Sequence, residues 1–188
     1  CLTGSGLTAR GLGARRKKRG MAVKAMMIDH YGEPEVFALR EVDRPRPGEG
    51  EVLVRVRASS VNPVDAFIRS GALKSFLPLS LPAILGVDVA GEVAELGASA
   101  TKFKSGERVF AFTGIDRGGG YGEYTSIPEH FLARVPSDLT WAEAGTVPGV
   151  GATAYEAFTE HAPVRDGMRV LINGGAGGVG TYAIQIGK

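Results

Sequence analysis

Short stretches of alternating or continuous hydrophobic residues, separated by glycine and proline turns, occupy the chain from residue 22 onward. Strands are predicted over residues 22–29 and 36–42, on either side of the turn Tyr31-Gly32-Glu33-Pro34. The alternation of hydrophobic residues from Val52 to Ala58 predicts a half-buried strand. Further strands are predicted over residues 84–96, 108–112 and 121–128. Together they indicate a compact, barrel-like β domain that ends near Val135.

Two helix starts are marked by their capping residues. Asn62 followed by Pro63 is typical of an N-cap and a first helical position, and Gly71 is expected to end this helix. The segment Thr140-Trp141-Ala142-Glu143 has the spacing of a capping box, and Pro148 is expected to break the helix that it starts. One helix therefore lies within the β-rich part and a second follows it.

Helices and strands alternate toward the end of the chain. Residues 151–160 are apolar at helical spacing, residues 168–172 predict a buried strand, and residues 179–186 predict the beginning of another helix. Such alternation is typical of a parallel α/β sheet. We place the boundary between Val135 and Gly151 and divide the folded chain into residues 21–145 and 146–188.

The segment Gly175-Ala176-Gly177-Gly178-Val179-Gly180 lies between the last predicted strand and helix and fits the dinucleotide-binding fingerprint. In this interpretation Gly175 permits the tight turn, Gly177 lets the backbone approach the pyrophosphate, and Gly180 lets the helix pack closely on the strand. Backbone N–H groups and the helix dipole then bind the phosphates. A glycine-rich turn without a ligand is the alternative.

The predicted nucleotide-binding sheet is incomplete in this chain. A βαβ unit takes at least about 30 residues. Around the fingerprint, this chain contains only one predicted strand and part of one helix. The residue that contacts the ribose is expected about 20 residues after the turn, beyond Lys188. We therefore expect a truncated domain, in which the choice between NAD and NADP is not encoded.

Composition limits the classes of function. Cys1 is the single cysteine, which excludes an intramolecular disulfide and a cysteine-rich metal site and fits a reduced intracellular compartment. No apolar run approaches the length needed to cross a bilayer, so we expect a soluble, cytoplasmic protein. The three histidines, His30, His130 and His161, have no metal-ligand spacing and are expected at the surface.

Positive charge is concentrated at the beginning of the chain. Residues 1–20 hold six of the 22 basic residues and no acidic residue, and the rest of the chain has 16 basic against 20 acidic residues. Residues 15–19 are candidates for contact with nucleic acid or an anionic membrane, or for a cleavable organelle presequence. We favour a flexible segment outside the fold, with neither nucleic acid nor membrane as a partner, and keep organelle targeting as the alternative.

The order of these features resembles the medium-chain dehydrogenase/reductase superfamily, and specifically its zinc-free quinone oxidoreductase (zeta-crystallin-like) branch. The resemblance extends from Met21 to Lys188. The residues that carry it are 61–65 with 68–71, 82–91, 106–109, 121–124 and 173–180. It implies an α/β protein in which a GroES-like substrate domain precedes the start of a Rossmann doubly wound parallel sheet. It also implies an active site in the cleft between the two domains and a homodimer at full length.

The resemblance also implies chemistry without a metal. Zinc-dependent relatives have a cysteine at the position of Asn62 and a His-Glu pair at the positions of Val87 and Asp88. Asparagine and valine are not serviceable zinc ligands. Quinones and α,β-unsaturated carbonyls (enones) accept hydride into a conjugated system and need less polarisation than an unactivated alcohol or ketone. We therefore expect NADPH-dependent reduction of quinones or enones, with NADH not excluded; the alternative is a non-catalytic fragment or a structural or binding relative.

Site residues follow from the same resemblance. Asn62 is expected to lie near the nicotinamide and to position the substrate by donating a hydrogen bond to its oxygen, although it is also a helix N-cap. Phe67 is expected to pack on the nicotinamide side, and Thr153 to lie behind the nicotinamide. Asp65 is interpreted as a first-turn helix residue or an ion-pair partner rather than a catalytic acid. Tyr121 either faces the cleft or packs within its strand.

Overall fold

A computed structural model describes residues 21–188, so the predicted flexible segment 1–20 lies outside the described residues. The strands within the described part are β1 (Ala22–Ile28), β2 (Phe37–Asp43), β3 (Glu51–Ala58), β4 (Ala83–Ile84), β5 (Asp88–Leu96), β6 (Arg108–Phe112), β7 (Tyr124–Pro128) and β8 (Ala133–Arg134). The α-helices are α1 (Pro63–Ser70), α2 (Trp141–Thr146), α3 (Pro148–Glu156) and α4 (Gly178–Ile186). Short 3-10 turns lie at Pro34–Val36 and Glu129–Phe131, and a π-helical turn follows α3 at Ala157–His161.

The strands form two antiparallel sheets, with the orders β2-β1-β4 and β7-β3-β5-β6-β8. The chain leading into β7 joins them, because Ala25 of β1 bridges to Gly122 and the Met26 N–H donates to the Tyr121 carbonyl at 2.9 Å. The strand segments predicted up to residue 128 are present with shifted ends, except that the predicted strand 84–96 is divided into β4 and β5, which lie in different sheets. The predicted β-rich first part of an α/β chain is therefore confirmed.

The largest hydrophobic cluster lies against the five-stranded sheet. Its buried members include Val52, Val54, Val89, Val93, Val109 and Ile127. The predicted alternation of β3 holds at Val54 and Arg55, which are buried and exposed respectively. Leu53 is also fully buried, so both faces of β3 are covered at its beginning. A second cluster beneath α1 contains Ile28, Ile68 and Leu85 and fixes that helix on the three-stranded sheet.

The helix starts agree with their capping signals. α1 begins at Pro63 and ends at Gly71, whose φ of 81° is accessible to glycine at little cost. α2 begins after Thr140 with both halves of the capping box formed. Pro148, however, is the first residue of α3, because a proline lacks only an N–H that would find no acceptor in the first turn. No helix in the described part of the chain is long and apolar enough to cross a membrane.

The predicted buried strand at residues 168–172 is wrong for the described structure. These residues have no strand conformation, and Leu171 is 94% exposed. A parallel strand is stabilised by hydrogen bonds to strands beside it and by helices on both faces. No strand within residues 21–188 pairs with this segment; Met168, Val170 and Leu171 are exposed. Ile172 is half-buried.

Replacing the cap of α2 tests how far local chemistry sets the helix start. Thr140 accepts from the Glu143 N–H at 3.3 Å, and the Glu143 carboxylate accepts from the Thr140 N–H at 2.8 Å. We expect Thr140→Ala to lower the free energy of unfolding by about 1 kcal/mol, because the Glu143 N–H loses its acceptor and the Glu143 carboxylate loses the hydrogen bond from the Thr140 hydroxyl. Thr140→Ser keeps the hydroxyl and should stay within a few tenths of a kcal/mol of the original protein. Equal urea midpoints for the two variants would contradict this assignment.

Candidate functional site

Two carboxylates are buried where α1 begins and β5 starts. Asp88 is 0% exposed and Asp65 is 3% exposed. Removing a carboxylate from water costs several kcal/mol unless hydrogen-bond donors surround it. In this structure the donors come from the segment between β3 and α1 and from the amino end of α3.

Asp88 gathers three donors on its carboxylate. Its Oδ2 accepts from the Ser60 hydroxyl at 2.5 Å and from the Asn62 side-chain amide at 2.9 Å. Its Oδ1 accepts from the Gly149 backbone N–H at 2.7 Å. The Ser59 hydroxyl donates to the Asp88 carbonyl at 2.7 Å. One residue of β5 therefore holds both the entry to α1 and the start of α3.

Gly149 favours this close approach. A Cβ at position 149 would lie 3.0 Å from Asp88 Oδ1 and 3.3 Å from the Phe112 ring. Both contacts are tight, so a side chain there would require the carboxylate or the ring to move by a few tenths of an ångström. The absence of a side chain at Gly149 therefore favours the hydrogen bond between Asp88 and α3.

Asp65 lies one turn into α1, as a first-turn residue should. Its Oδ2 accepts from the Asn62 backbone N–H at 2.8 Å, whereas its Oδ1 is buried without a hydrogen-bond partner. The interpretation as a first-turn helix residue is confirmed, and no ion pair of Asp65 occurs within residues 21–188. Burial raises the pKa of Asp65 and outweighs the stabilising effect of the Asn62 N–H on the ionised form.

Tyr121 packs beside this carboxylate. Its ring meets Phe37 edge-on at 6.0 Å between centroids, and a Cβ at Gly86 would lie 2.6 Å from it. Burial, together with the negative charge of Asp65, raises the pKa of the Tyr121 hydroxyl. Tyr121 therefore keeps its proton at physiological pH and serves as a packing residue with a polar end.

The Asn62 amide is directed inward. Its nitrogen carries two hydrogens, and it donates to Asp88 and, at 3.0 Å, to the Ser60 hydroxyl. A hydrogen bond from this amide to a substrate oxygen requires that one of these two bonds be exchanged. The role of Asn62 in positioning substrate stays a prediction, now with Asp88 as its fixed neighbour.

Phe67 and Thr153 are both accessible. Phe67 is 55% exposed on α1. Thr153 is exposed on α3, and its hydroxyl donates to the Gly149 carbonyl at 2.7 Å. Thr153 is thereby tied to the residue whose N–H binds Asp88. The contacts of these two side chains with a nicotinamide stay predictions.

The glycine turn differs in one detail from the fingerprint interpretation. Gly174, with φ of 73°, is the left-handed residue of the bend, and Gly175 is not. The Gly177 N–H closes the turn by donating to the Gly174 carbonyl at 2.9 Å, and Gly177 is the N-cap of α4. The tight bend was therefore assigned one residue too late.

This turn has a packed side and an open side. A Cβ at Gly180 would lie 2.3 Å from the Gly174 carbonyl oxygen, whereas a Cβ at Gly174 would meet nothing within 4 Å. A Cβ at Gly177 would touch only the Gly174 carbonyl, at 3.3 Å. The first N–H groups of α4, which include those of Gly178 and Val179, have no acceptor within the helix. The open side is therefore suited to the phosphates of a dinucleotide.

α3 connects the turn to the carboxylate cluster. Val150 lies against Gly178, where an added Cβ would approach its Cγ1 to 3.1 Å, and Gly151 lies near the ring of Tyr182. Gly149 of the same helix binds Asp88. The candidate substrate residue Asn62 and the candidate phosphate turn are therefore joined through one short helix.

The three histidines are exposed, which confirms their expected place at the surface. Within residues 21–188, no three His, Cys, Asp or Glu side chains are grouped so that they could hold a metal ion.

Sequence reasoning missed the central role of Asp88. From the sequence alone, Asp88 stands out only as a position where zinc-dependent relatives carry a ligand. The available signal was a single acidic residue inside the apolar run Ile84-Leu85-Gly86-Val87-Asp88-Val89-Ala90, since a charge in a buried strand requires donors. Which donors reach it depends on the distant residue Gly149, and no local pattern indicates this pairing.

The chain is similar in sequence to a known family and to several known proteins. Residues 48–137 match the family described as the alcohol dehydrogenase GroES-like domain. The chain is 37% identical over 175 residues to the quinone-oxidoreductase QR1, chloroplastic, of Triphysaria versicolor, and this match covers 90% of the chain and 53% of that protein. It is 39% identical over 167 residues to the human quinone oxidoreductase, with coverage of 88% and 50%. A 2-methylene-furan-3-one reductase from Solanum lycopersicum is 36% identical over 173 residues, with coverage of 88% and 44%.

Solved structures agree with these matches. An alcohol dehydrogenase superfamily protein from Novosphingobium aromaticivorans superposes with a TM-score of 0.82 at 40% identity, over 88% of this chain and 50% of that one. A mycobacterial protein complexed with NADPH superposes with a TM-score of 0.75 at 32% identity, over 87% and 48%. The predicted GroES-like fold and the resemblance to quinone oxidoreductases are confirmed. The chain spans about half the length of the relatives that it matches.

The half-buried Tyr121 side chain predicts a specific alkaline response. An unfolded tyrosine ionises near pH 10, whereas the raised pKa keeps Tyr121 protonated in the folded protein. Folding stability should therefore fall as pH rises above about 10, and Tyr121→Phe should lack this part of the loss, up to about 1.4 kcal/mol per pH unit. Urea unfolding at pH 8 and pH 11 measures the difference. The same pH dependence in both proteins would contradict the assignment.

Proposed function

We propose that the protein carrying this chain transfers hydride from NADPH to quinones or α,β-unsaturated carbonyls without zinc. The observation that carries the proposal is the open glycine turn before α4, in a chain that is 35% to 39% identical to several quinone oxidoreductases along most of its length. The reductase from Solanum lycopersicum extends the substrate class to conjugated ketones.

The chain's own residues suggest how the cofactor is held. The N–H groups at the start of α4, around Gly178 and Val179, would bind the pyrophosphate, and Gly177 would leave room for it. Gly175 and Ala176 belong to the same proposed binding turn. Bound NADPH supplies the hydride. NADPH is proposed over NADH because one solved relative is an NADPH complex. Gly180 supports the turn from its packed side.

Substrate would be placed by the residues around Asn62. A quinone or enone needs an orienting contact more than a Lewis acid, since its conjugated system accepts the hydride directly. We propose Asn62 as this contact, Phe67 as an apolar surface beside the nicotinamide, and Thr153 as its backing residue. Tyr121, whose pKa is raised by burial, is not proposed as the proton donor. The proton that completes the reduction would come from solvent or a nearby hydroxyl.

The proposal includes the class of substrate, the oligomeric state and the cellular location. We propose a small-molecule substrate, a homodimer and a cytoplasmic location. Organelle targeting is the alternative, because the relative from Triphysaria versicolor is named chloroplastic. Size-exclusion chromatography with light scattering, and imaging with and without residues 1–20, test these two points.

Blocking the open side of the turn tests the cofactor site. In Gly177→Ala the new methyl group meets only the Gly174 carbonyl, so the free energy of unfolding should fall by about 1 kcal/mol or less. The same methyl group occupies the approach of the pyrophosphate, so NADPH affinity should fall at least about tenfold, or 1.4 kcal/mol. Binding is followed by cofactor fluorescence. Gly151→Ala on α3 is the matched control and should bind as the original protein does; equal affinity of all three would refute the site.

Substrate choice tests the reaction. The full-length protein should oxidise NADPH with an ortho-quinone or an alkenal, and not with a simple ketone, and a chelator should leave the rate unchanged. Asn62→Ala should lower kcat/KM about tenfold or more, which corresponds to loss of about 1.4 kcal/mol of transition-state stabilisation. Activity confined to simple alcohols and ketones would overturn the zinc-free reductase.

A further inference from the structure

We infer that Asp88 is the positioning residue of this site: its buried carboxylate orients the Asn62 amide and fixes it relative to the amino end of α3. The expected effect of Asp88 on turnover rests on the proposed function. The geometric part of the inference rests on the three hydrogen bonds to Asp88 from Ser60, Asn62 and Gly149.

The carboxylate dictates which way the amide faces. An asparagine side chain has a donor end and an acceptor end, whereas an ionised carboxylate only accepts. Asn62 must therefore turn its nitrogen toward Asp88, and the Ser60 hydroxyl receives the second hydrogen at 3.0 Å. The complete burial of Asp88 makes a reversed amide costly, because two oxygens would then face each other without a donor.

Both oxygens of the Asp88 carboxylate are needed, because each binds a different element. Oδ2 serves the segment that leads into α1, and Oδ1 serves the Gly149 N–H of α3. An asparagine at position 88 has one oxygen and one amino group. It either loses the N–H of Gly149 or turns its amino group toward Asn62, which then reverses its own amide. Only a carboxylate satisfies both elements simultaneously.

The link extends toward the candidate phosphate turn. α3 begins at Pro148 and packs through Val150 against Gly178, the first residue of α4. By orienting the Asn62 amide, Asp88 thus fixes Asn62 relative to α3, which supports the glycine turn. Holding reacting groups in one geometry lowers the activation barrier without direct contact with the reacting atoms.

A double-mutant cycle separates positioning from ordinary stabilisation. In the full-length protein, Asp88→Asn should lower kcat for quinone reduction about tenfold. In the Asn62→Ala background the same change should lower kcat less than twofold, because its effect passes through the missing amide. Effects that multiply in the double variant would overturn the inference.

Glu129→Gln is the matched control for loss of a buried carboxylate. Glu129 is 9% exposed and accepts from the backbone N–H groups of Thr101 and Lys102, away from Asn62. Its replacement should lower stability and leave kcat within twofold of the original value. A tenfold loss of kcat in this control would show that turnover responds to any buried carboxylate and would overturn the specific role of Asp88.

A second readout does not require turnover. Both Asn62 amide hydrogens are bonded, so their exchange with solvent, followed by NMR with Asn62→Ala for assignment, should be slow and should accelerate at least about tenfold in Asp88→Asn. If that variant does not fold, Ser60→Ala removes one acceptor and should accelerate exchange about threefold. Unchanged exchange overturns the inference. Absence of quinone reduction in the original protein refutes the proposed function instead. In that case the exchange measurement still tests whether Asp88 orients the Asn62 amide.

Discussion

Two carboxylates that have left water must be supplied with donors, and this requirement organises the centre of the described structure. Asp88 is satisfied by groups from two separate segments, whereas Asp65 has a donor at Oδ2 alone, from the backbone at the start of its own helix. Neither has an arginine or lysine partner within residues 21–188. Because uncharged donors must come close to a carboxylate to offset its desolvation, the path of the chain before α1 and the position of α3 are both fixed.

Two residues of the glycine turn have different physical roles, one in packing and one in leaving the turn accessible. Gly180 is required by packing, since any side chain would collide with the Gly174 carbonyl. Gly177 is not required by packing, and its lack of a side chain leaves an open approach to the N–H groups of α4. An open approach to these N–H groups is what a phosphate ligand requires. This contrast supports a phosphate site more strongly than the count of glycines does.

The β-rich part was predictable because its signals are local. Alternation in β3, proline and glycine in the turns, and the capping residues Asn62 and Thr140 act over a few positions, and the elements form where they indicate. The segment at residues 168–172 was predicted from the same kind of pattern and is not a strand in the described structure. Its apolar residues fit a strand that is covered by neighbouring strands and helices. The local pattern contains no information about whether those elements are present.

The sequence alone determined the class of fold, the likeness to quinone oxidoreductases and the place of the candidate phosphate turn. Each of these follows from residues close together in the chain or from motifs in a fixed order. Only the tertiary structure decided that Asp88 joins Asn62 to Gly149 and that Gly174 makes the bend. Those findings depend on which distant groups reach a buried carboxylate and on the backbone angles that packing imposes, and neither is written in a local pattern.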